Sequence, residues 1–264
     1  MKFAAVGDNC IDWYYRQQEA HVGGCSVNVS VYITQLGEKA AYLGAVGSDE
    51  NGVLVRQKLE SFGVHTDRLH VLDGNTAVTR IELVDNERCF RGYDEGVLAE
   101  KYITEEDIAF IRTCDYMHTS VYGNCQEILK EVENDVVIAY DFAYKLEHET
   151  IPEVLKHIHY GFFSYEADDA YIRQYLKERW KQGGSHLQLL VATLGGEGSL
   201  SYDGRAFYRH MIIPVKPVDT MGAGDSFISG FLVSRARGMD HAACVAAGSE
   251  KAKETILKKG AFGE

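Results

Sequence analysis

The chain alternates short apolar segments with longer segments of helical periodicity along most of its length. The apolar segments have the length of β-strands and read KFAAVGD, AAYLGAVG, YMHTSV, VVIAYDF, YGFFSY and LQLLVATL. Between them lie amphipathic stretches such as ADDAYIRQYLKERW. Because strands that alternate with helices pair in parallel through helical crossovers, this order predicts an α/β fold with a mostly parallel sheet covered on both faces.

Two segments interrupt this alternation and predict β-hairpins. TAVTRIELVDNERCFRGY turns near Asp85 and Asn86, and SLSYDGRAFYR turns at Asp203 and Gly204. No linker, repeat or low-complexity stretch divides the chain, and its 264 residues can bury one large core. We therefore predict a single domain, residues 1–264, with a β excursion around residues 74–97 and part of 12–20.

Charge and composition exclude several classes of partner. The net charge of −12 argues against nucleic acid, which binds basic surfaces. No apolar run is long enough to span a bilayer, and the start reaches Gly7 and Asp8 too soon for a signal peptide. The six cysteines are scattered without a C-x-x-C pair, as is typical of reduced core thiols. These features predict a cytoplasmic protein that binds neither nucleic acid nor a membrane.

The segment VDTMGAGDSFISGF, residues 218–231, places a glycine-rich turn before an apolar helix. Gly222, Ala223 and Gly224 then lie at the helix N-terminus, where unpaired N–H groups and the helix dipole favour an anion. Glycines there leave the backbone open to close approach by a ligand. Asp225 is either an ordinary residue of a helix start or a carboxylate that acts on the bound anion.

Four segments resemble the PfkB (ribokinase-like) carbohydrate kinases. DTMGAGDSF resembles the C-terminal signature of that family, and VGDNCID, GGCSVN and TLGGEG resemble three further family segments in the same order. The resemblance covers essentially the whole chain. It implies a Rossmann-like three-layer sandwich with a small β lid that closes over a sugar and often forms a homodimer contact. Neither a P-loop nor a dinucleotide-binding fingerprint is present.

The family resemblance implies that the chain transfers a phosphoryl group from ATP to a sugar hydroxyl. Asp225 would accept the hydroxyl proton, and the backbone from Gly222 through Ala223 and Gly224 would hold the transferring phosphate. The implied sugar contacts are Asp12, Gly24, Asn28 and Arg88. The implied nucleotide contacts are Thr193, Gly195, Gly196, Gly198, Gly248 and Ser249, although glycines in TLGGEG also suit a tight turn on geometry alone. ATP and Mg²⁺ are implied, and a monovalent cation such as K⁺ stays open.

The magnesium motif departs from the family pattern. The family usually carries N-x-x-E, and the matching segment FSYEADD has Tyr165 and Asp168 at those positions. Asp168 would organise magnesium through water, with Glu166 or Asp169 as substitutes. The alternative is that these acids only favour the start of the following helix, where negative charge is stabilising.

The sugar itself is suggested by a narrower resemblance. GDNCID, the GGxxVNVxVY pattern and YDEGV resemble the fructoselysine kinases of the family more than its ribokinases or adenosine kinases. The predicted lid also carries a mixed charge that suits either an attached amino acid or simply a solvated hairpin, namely Arg80, Arg88, Arg91, Asp94 and Glu95. A fructokinase or another hexose kinase is the alternative, and a sugar or nucleotide sensor without activity is a third reading.

Overall fold

The computed structural model describes residues 1–84 and 87–262, apart from the side chains of residues 83, 84, 87 and 88. The strands are β1 Lys2–Val6, β2 Cys10–Tyr14, β3 Glu19–Gly23, β4 Lys39–Gly47, β5 His65–Leu72, β6 Val78–Val84, β7 Glu87–Asp94, β8 Tyr116–Ser120, β9 Val137–Asp141, β10 Tyr160–Ser164, β11 Leu189–Thr193, β12 Ser199–Tyr202 and β13 Phe207–His210. The helices are α1 Cys25–Gln35, α2 Glu50–Ser61, α3 Glu105–Ile111, α4 Gln126–Val132, α5 Ile151–Val154, α6 Ala170–Gln182, α7 Ala223–Ala236 and α8 His241–Ile256.

A large sheet forms the centre of the protein. Among the described residues it contains nine strands in the order β13-β12-β11-β10-β9-β8-β1-β4-β5. Every neighbouring pair from β11 to β5 is parallel, and β12 and β13 extend the edge as an antiparallel hairpin. The predicted mostly parallel sheet and the predicted hairpin at Asp203 and Gly204 are both confirmed.

Helices cover both faces of this sheet because the strands are apolar on both sides. One face packs against helices α3 to α6 through buried residues such as Ile111, Leu129 and Leu176. The other packs against α1, α7 and α8 through Val29, Phe231 and others. Burying one such side chain contributes about 1.5–3 kcal/mol, so these layers supply much of the stability. Within the described ranges, none of the helices is long and apolar enough to cross a membrane.

The order of the strands determines where a ligand can bind. From β1 the chain proceeds to β4 and β5 on one side, and β8 to β11 follow on the other side. The loops after β1 and β8 therefore leave the sheet in opposite directions. In open α/β sheets such a reversal forms a crevice at the carboxyl ends of the strands, and ligands bind in it.

A smaller sheet stands apart from the large one. In the described chain it has the order β3-β2-β6-β7. Asp12 on β2 lies opposite Thr79 on β6, which lies opposite Tyr93 on β7. Residues paired across strands share a face, so these three lie in one row on one face. The strands of the first predicted hairpin are antiparallel as expected, whereas its turn at Asp85 and Asn86 lies outside the described residues.

Candidate active site

Helix α7 begins directly after Gly222, whose φ of 71° lies in the left-handed region. A β-carbon on Gly222 would come within 2.5 Å of the Tyr32 hydroxyl, so both the backbone angle and the space require glycine. The N–H of Ala223 donates to a carbonyl of the preceding turn at 3.3 Å. Within the described residues, the N–H groups of Gly224 and Asp225 have no acceptor. These donors lie at the positive end of a 14-residue helix, which is an arrangement that attracts an anion.

Asp225 and Asn28 are brought into direct contact although they are 197 residues apart in sequence. The Nδ2 of Asn28, on α1, donates to the Oδ2 of Asp225 at 2.7 Å. Both residues are buried. The Oδ1 of Asn28 finds no partner in the part of the chain that is described. Because an unpaired buried acceptor is costly, this oxygen is suited to accept a hydrogen bond from a ligand hydroxyl beside Asp225.

The electrostatic surroundings make Asp225 a better base than an exposed aspartate. Burial raises its pKa well above the usual value, and the negative charges of Asp141 and Asp8 raise it further. Hydrogen bonds from Asn28 and Cys25 act in the opposite direction. A carboxylate with a raised pKa accepts a proton more readily at neutral pH.

Asp8, two residues after the end of β1, fixes the start of α1. Its Oδ2 accepts from the Cys25 backbone N–H at 2.6 Å, and its Oδ1 accepts from the Ser120 hydroxyl at 2.9 Å. Gly24 precedes the helix with a φ of 110°, and a β-carbon there would lie 2.6 Å from the Cα of Asn9. The glycine is thus required by the turn itself. This turn sets the direction of α1 and therefore the position of the substrate residue predicted on it.

Asp12 lies on β2 of the small sheet. Its Oδ1 accepts from the Cys10 thiol at 3.4 Å, and its Oδ2 lies 2.9 Å from the place where a β-carbon of Gly23 would be. A side chain at position 23 would therefore displace the carboxylate. The row formed with Thr79 and Tyr93 extends this polar surface across the small sheet. The side chain of Arg88, which the sequence also places here, lies outside the described residues.

A cavity of about 290 Å³ adjoins the start of α7. Its wall is mostly apolar and contains these predicted nucleotide and phosphate residues: Thr193, Gly195, Gly196, Gly198, Ser249, Ala223 and Gly224. Ile212, Val215 and Ile256 supply part of the apolar surface. An apolar cavity with a phosphate-binding helix start at one end suits a nucleotide whose base is buried and whose phosphates face α7.

Gly248 and Gly198 both have structural roles, of which only that of Gly198 was among the alternatives from the sequence. Gly248 does not border the cavity; a β-carbon there would meet the Phe227 carbonyl oxygen at 2.7 Å, so this glycine allows α8 to pack closely on α7. Gly198 has a φ of 95°, and a β-carbon there would lie 2.1 Å from the His210 carbonyl oxygen. The turn geometry that the sequence left as an alternative therefore applies to Gly198.

Asp168 is engaged by cationic side chains. The guanidinium of Arg173 donates to both of its oxygens at 2.6 and 2.7 Å, and that of Arg209 lies 3.3 Å away. Asp169 is also engaged, because it accepts from the backbone N–H of Ile172 and so caps α6. Glu166 is exposed and makes no hydrogen bond or ion pair with any described residue. Asp168 is therefore paired with arginines in this structure, and its role in organising magnesium stays a prediction.

Sequence reasoning missed three ionisable groups of the site: Asp8, Asp141 and Cys25. Carboxylate oxygens of Asp141 and Asp225 and the Sγ of Cys25 all lie within 4.8 Å of one another. A signal was present for the two acids, because each follows an apolar strand, FAAVG or VVIAY. An acidic residue directly after a buried parallel strand lies at the edge where ligands bind.

Known proteins are similar to this chain in sequence and in fold. The family model described as "pfkB family carbohydrate kinase" matches residues 4–263. The chain is 35% identical to "Fructoselysine 6-kinase" of Escherichia coli (strain K12), over 98% of each chain. It is 30% identical to "Fructosamine kinase FrlD" of Bacillus subtilis, over 100% of this chain and 93% of the relative.

Solved structures agree on the architecture. The ribokinase of Arabidopsis thaliana, complexed with ribose and ATP, superposes with a TM-score of 0.85 at 20% identity, over 99% of this chain and 94% of the other. The ribokinase of Thermotoga maritima gives 0.83 at 19% identity, over 99% and 95%. These likenesses confirm the expected ribokinase-like fold. With a family match over nearly its whole length, the chain belongs to the pfkB family of carbohydrate kinases and is an ATP-dependent sugar kinase.

Proposed function

We propose that this kinase phosphorylates fructoselysine on its 6-hydroxyl, with Asp225 as general base. The observation that carries the catalytic part is the buried contact between Asp225 and Asn28 beside the free N–H groups of α7. The substrate is supported by the relatives, because a fructoselysine kinase and a fructosamine kinase match along almost the whole chain. Both relatives are named for a sugar that carries an amine.

The proposed mechanism uses groups that are already in position. Asn28 and Asp12 bind sugar hydroxyls, and Asn28 places the reacting hydroxyl next to Asp225. Asp225 accepts its proton as the oxygen attacks the γ-phosphorus of ATP. The N–H groups of Gly224 and Asp225 stabilise the charge on the transferring phosphoryl group.

Magnesium would neutralise charge on the ATP phosphates when bound. Because arginines engage Asp168, we propose that Glu166 takes its place as the acid that organises the ion. Glu166 follows β10 at the carboxyl edge of the large sheet, where β11 leads directly into Gly195 and Gly196. Replacement by glutamine should raise the Mg²⁺ concentration needed for half-maximal activity, and Asp168→Asn should not; the reverse pattern would contradict this assignment.

Substitution of two glycines with different surroundings tests whether ATP binds in this cavity. A β-carbon on Gly196 meets no described atom within 4 Å, whereas one on Gly198 strikes backbone. We expect Gly196→Val to raise KM for ATP about 10-fold with little change in thermal stability, because the added side chain occupies space for the ligand. Gly198→Val should instead cost about 1–3 kcal/mol of stability through backbone strain. Unchanged ATP affinity in a folded Gly196→Val variant would remove this cavity as the nucleotide site.

We propose that the small sheet is a lid that closes over the sugar. The face of the lid that is turned toward the sugar, here called the inner face, would contact the attached amino acid. Asp12, Thr79 and Tyr93 form the row on that face. Arg80 is also a candidate from the sequence for contact with the attached amino acid. It pairs with Trp13 and so lies on the opposite face of the small sheet. Arg91 donates to Glu82 at 2.7 Å and is already engaged. Tyr93 is thus the better candidate for contact with the appendage.

Substrate preference tests this assignment. We expect kcat/KM for fructoselysine to exceed that for fructose on the order of 10²-fold, since contacts to the remote amino acid also help to orient the reacting hydroxyl. Tyr93→Ala should reduce this ratio, and Arg80→Ala is the matched control from the outer face. Equal values of kcat/KM for the two sugars, or a higher value for fructose, would refute fructoselysine as the substrate. The assignment of the chain as a sugar kinase would not be affected.

A homodimer through the lid is a further part of the proposal. Phe90 on β7 exposes 70% of its surface, which is unusual for a large apolar side chain. We propose that β7, the strand at the edge of the lid, meets a second copy of the chain. A monomeric mass in analytical ultracentrifugation at micromolar concentration would contradict this arrangement.

A further inference from the structure

A second buried carboxylate lies beside the proposed base, and the proposed mechanism assigns it no role. Asp141 ends strand β9 and is only 7% exposed. One of its oxygens accepts from the backbone N–H of Ala143 at 2.8 Å. A carboxylate oxygen of Asp141, one of Asp225 and the Sγ of Cys25 lie within 4.8 Å of one another. A negative charge this close to a base affects how strongly that base holds a proton.

We propose that Asp141 is a positioning residue that acts through Asp225: its negative charge, held against that base, makes Asp225 a better acceptor for the proton of the sugar hydroxyl. The inference rests on the proposed role of Asp225. In the reaction step the O–H bond of the sugar breaks and its proton passes to Asp225. The oxygen keeps the electron pair and bonds to the γ-phosphorus, while the bond from that phosphorus to the bridging oxygen breaks and ADP takes the pair.

The physical basis is repulsion that the reaction relieves. Two carboxylates buried side by side are both ionised only at a cost, so protonation of either one is favoured. When Asp225 takes the proton, Asp141 faces a neutral acid and the repulsion disappears. The interaction therefore destabilises the resting base and not the transition state, which is the condition for an increase in rate.

The other groups around Asp225 do not cancel this effect. From α1, Asn28 donates a hydrogen bond and the Cys25 thiol is uncharged, since burial raises its pKa. From the end of β1, Asp8 adds a further negative charge. Burial and, to a smaller extent, Asp8 raise the pKa of Asp141 to about 7, against the lowering effect of the Ala143 N–H. Where both carboxylates are ionised, the charge of Asp141 raises the proton affinity of Asp225.

A purely structural role for Asp141 is the competing explanation, and asparagine separates the two. Ala143 has a φ of 50°, which is strained for a residue with a side chain, and the hydrogen bond from its N–H to Asp141 holds this turn. Asparagine keeps an Oδ1 that can accept the same bond but loses the charge. Asp141→Asn therefore preserves the turn and removes only the electrostatic effect.

The experiment is the pH dependence of kcat/KM and kcat for the wild type, Asp141→Asn and a control, with fructoselysine and fructose each tried as the acceptor. Loss of the neighbouring charge lowers the pKa of Asp225, so we expect the acidic limb of the profile to move to lower pH by about one unit or more. At the plateau kcat should fall about 10-fold, because the base is weaker. The control is Asp107→Asn, another buried carboxylate, which lies in the capping box of α3. It should leave the acidic limb in place.

The outcomes separate this inference from the function on which it rests. Suppose that Asp225→Asn abolishes turnover and that the acidic limb of the pH profile of Asp141→Asn lies where that of the wild type does. Asp225 is then the base, and the inference about Asp141 is wrong. If Asp225→Asn retains normal turnover, the proposed base itself is wrong. Should Asp141→Asn not fold, carboxyl ¹³C titration of the wild type decides: Asp225 and Asp141 titrating in two coupled steps supports the pair, and independent single steps overturn it.

Discussion

Replacing Asp225 by asparagine should lower kcat by about 10²–10⁴-fold while nucleotide binding is largely retained. Asparagine has nearly the same shape and keeps an oxygen that can accept the hydrogen bond from Asn28, so the geometry of the site should persist. What is lost is a group that takes a proton. The N–H donors of α7 that hold the phosphate belong to the backbone and are unchanged. Steady-state kinetics and calorimetric titration with ATP measure the two properties separately.

The matched control is Asp240→Asn. Asp240 also lies at a helix start, where its carboxylate accepts from the Ala243 N–H at 2.8 Å and caps α8. Asparagine caps a helix about as well as aspartate, so turnover and stability should stay near wild type. If Asp225→Asn behaved like this control, Asp225 would be an ordinary residue of a helix start, which is the alternative that the sequence left open.

Substitution by alanine should lower kcat at both Gly222 and Gly224 but should reduce stability only at Gly222. Gly222 has a left-handed φ of 71° and no room for a β-carbon beside Tyr32. Gly222→Ala should therefore cost about 1–3 kcal/mol of stability. It should also lower kcat on the order of 10²-fold, because the turn that aims the N–H donors must shift.

Gly224→Ala separates ligand contact from fold. A β-carbon on Gly224 meets no described atom within 4 Å, and alanine favours a helix over glycine by about 0.5–1 kcal/mol. Stability should thus be unchanged or slightly higher. If a phosphate approaches this backbone closely, the added methyl group obstructs it and kcat falls. Wild-type turnover in Gly224→Ala would show that the helix start does not hold the phosphate in the proposed way.

Local sequence was sufficient where the physical cause is itself local. The strand lengths and helical periods predicted the parallel sheet, because burial on both faces requires apolar runs of that kind. The capping box of Thr104 and Asp107 at the start of α3 is likewise local, because its two residues are three positions apart in the chain. The glycine-rich turn before Asp225 predicted a helix start with free N–H groups, and these groups need no partner from elsewhere in the chain.

Contacts between distant segments could not be predicted from the sequence. Asp168 was expected to organise magnesium, but Arg209, 41 residues later in the chain, reaches it from β13. Gly248, which is predicted to contact the nucleotide, lies where α8 packs closely on α7. Arg80 and Tyr93 belong to one predicted hairpin, and only the pairing of β6 with β2 and β7 shows that they lie on opposite faces.

By itself, the sequence determined the fold class, the helix start that can bind an anion and the identity of Asp225 as the acid beside it. The tertiary structure alone decided the strength of that acid as a base. Its pKa depends on burial and on the charges of Asp141 and Asp8, which come from the ends of β9 and β1. Burial and distances between charges are properties of packed elements, and no local pattern in the chain encodes them.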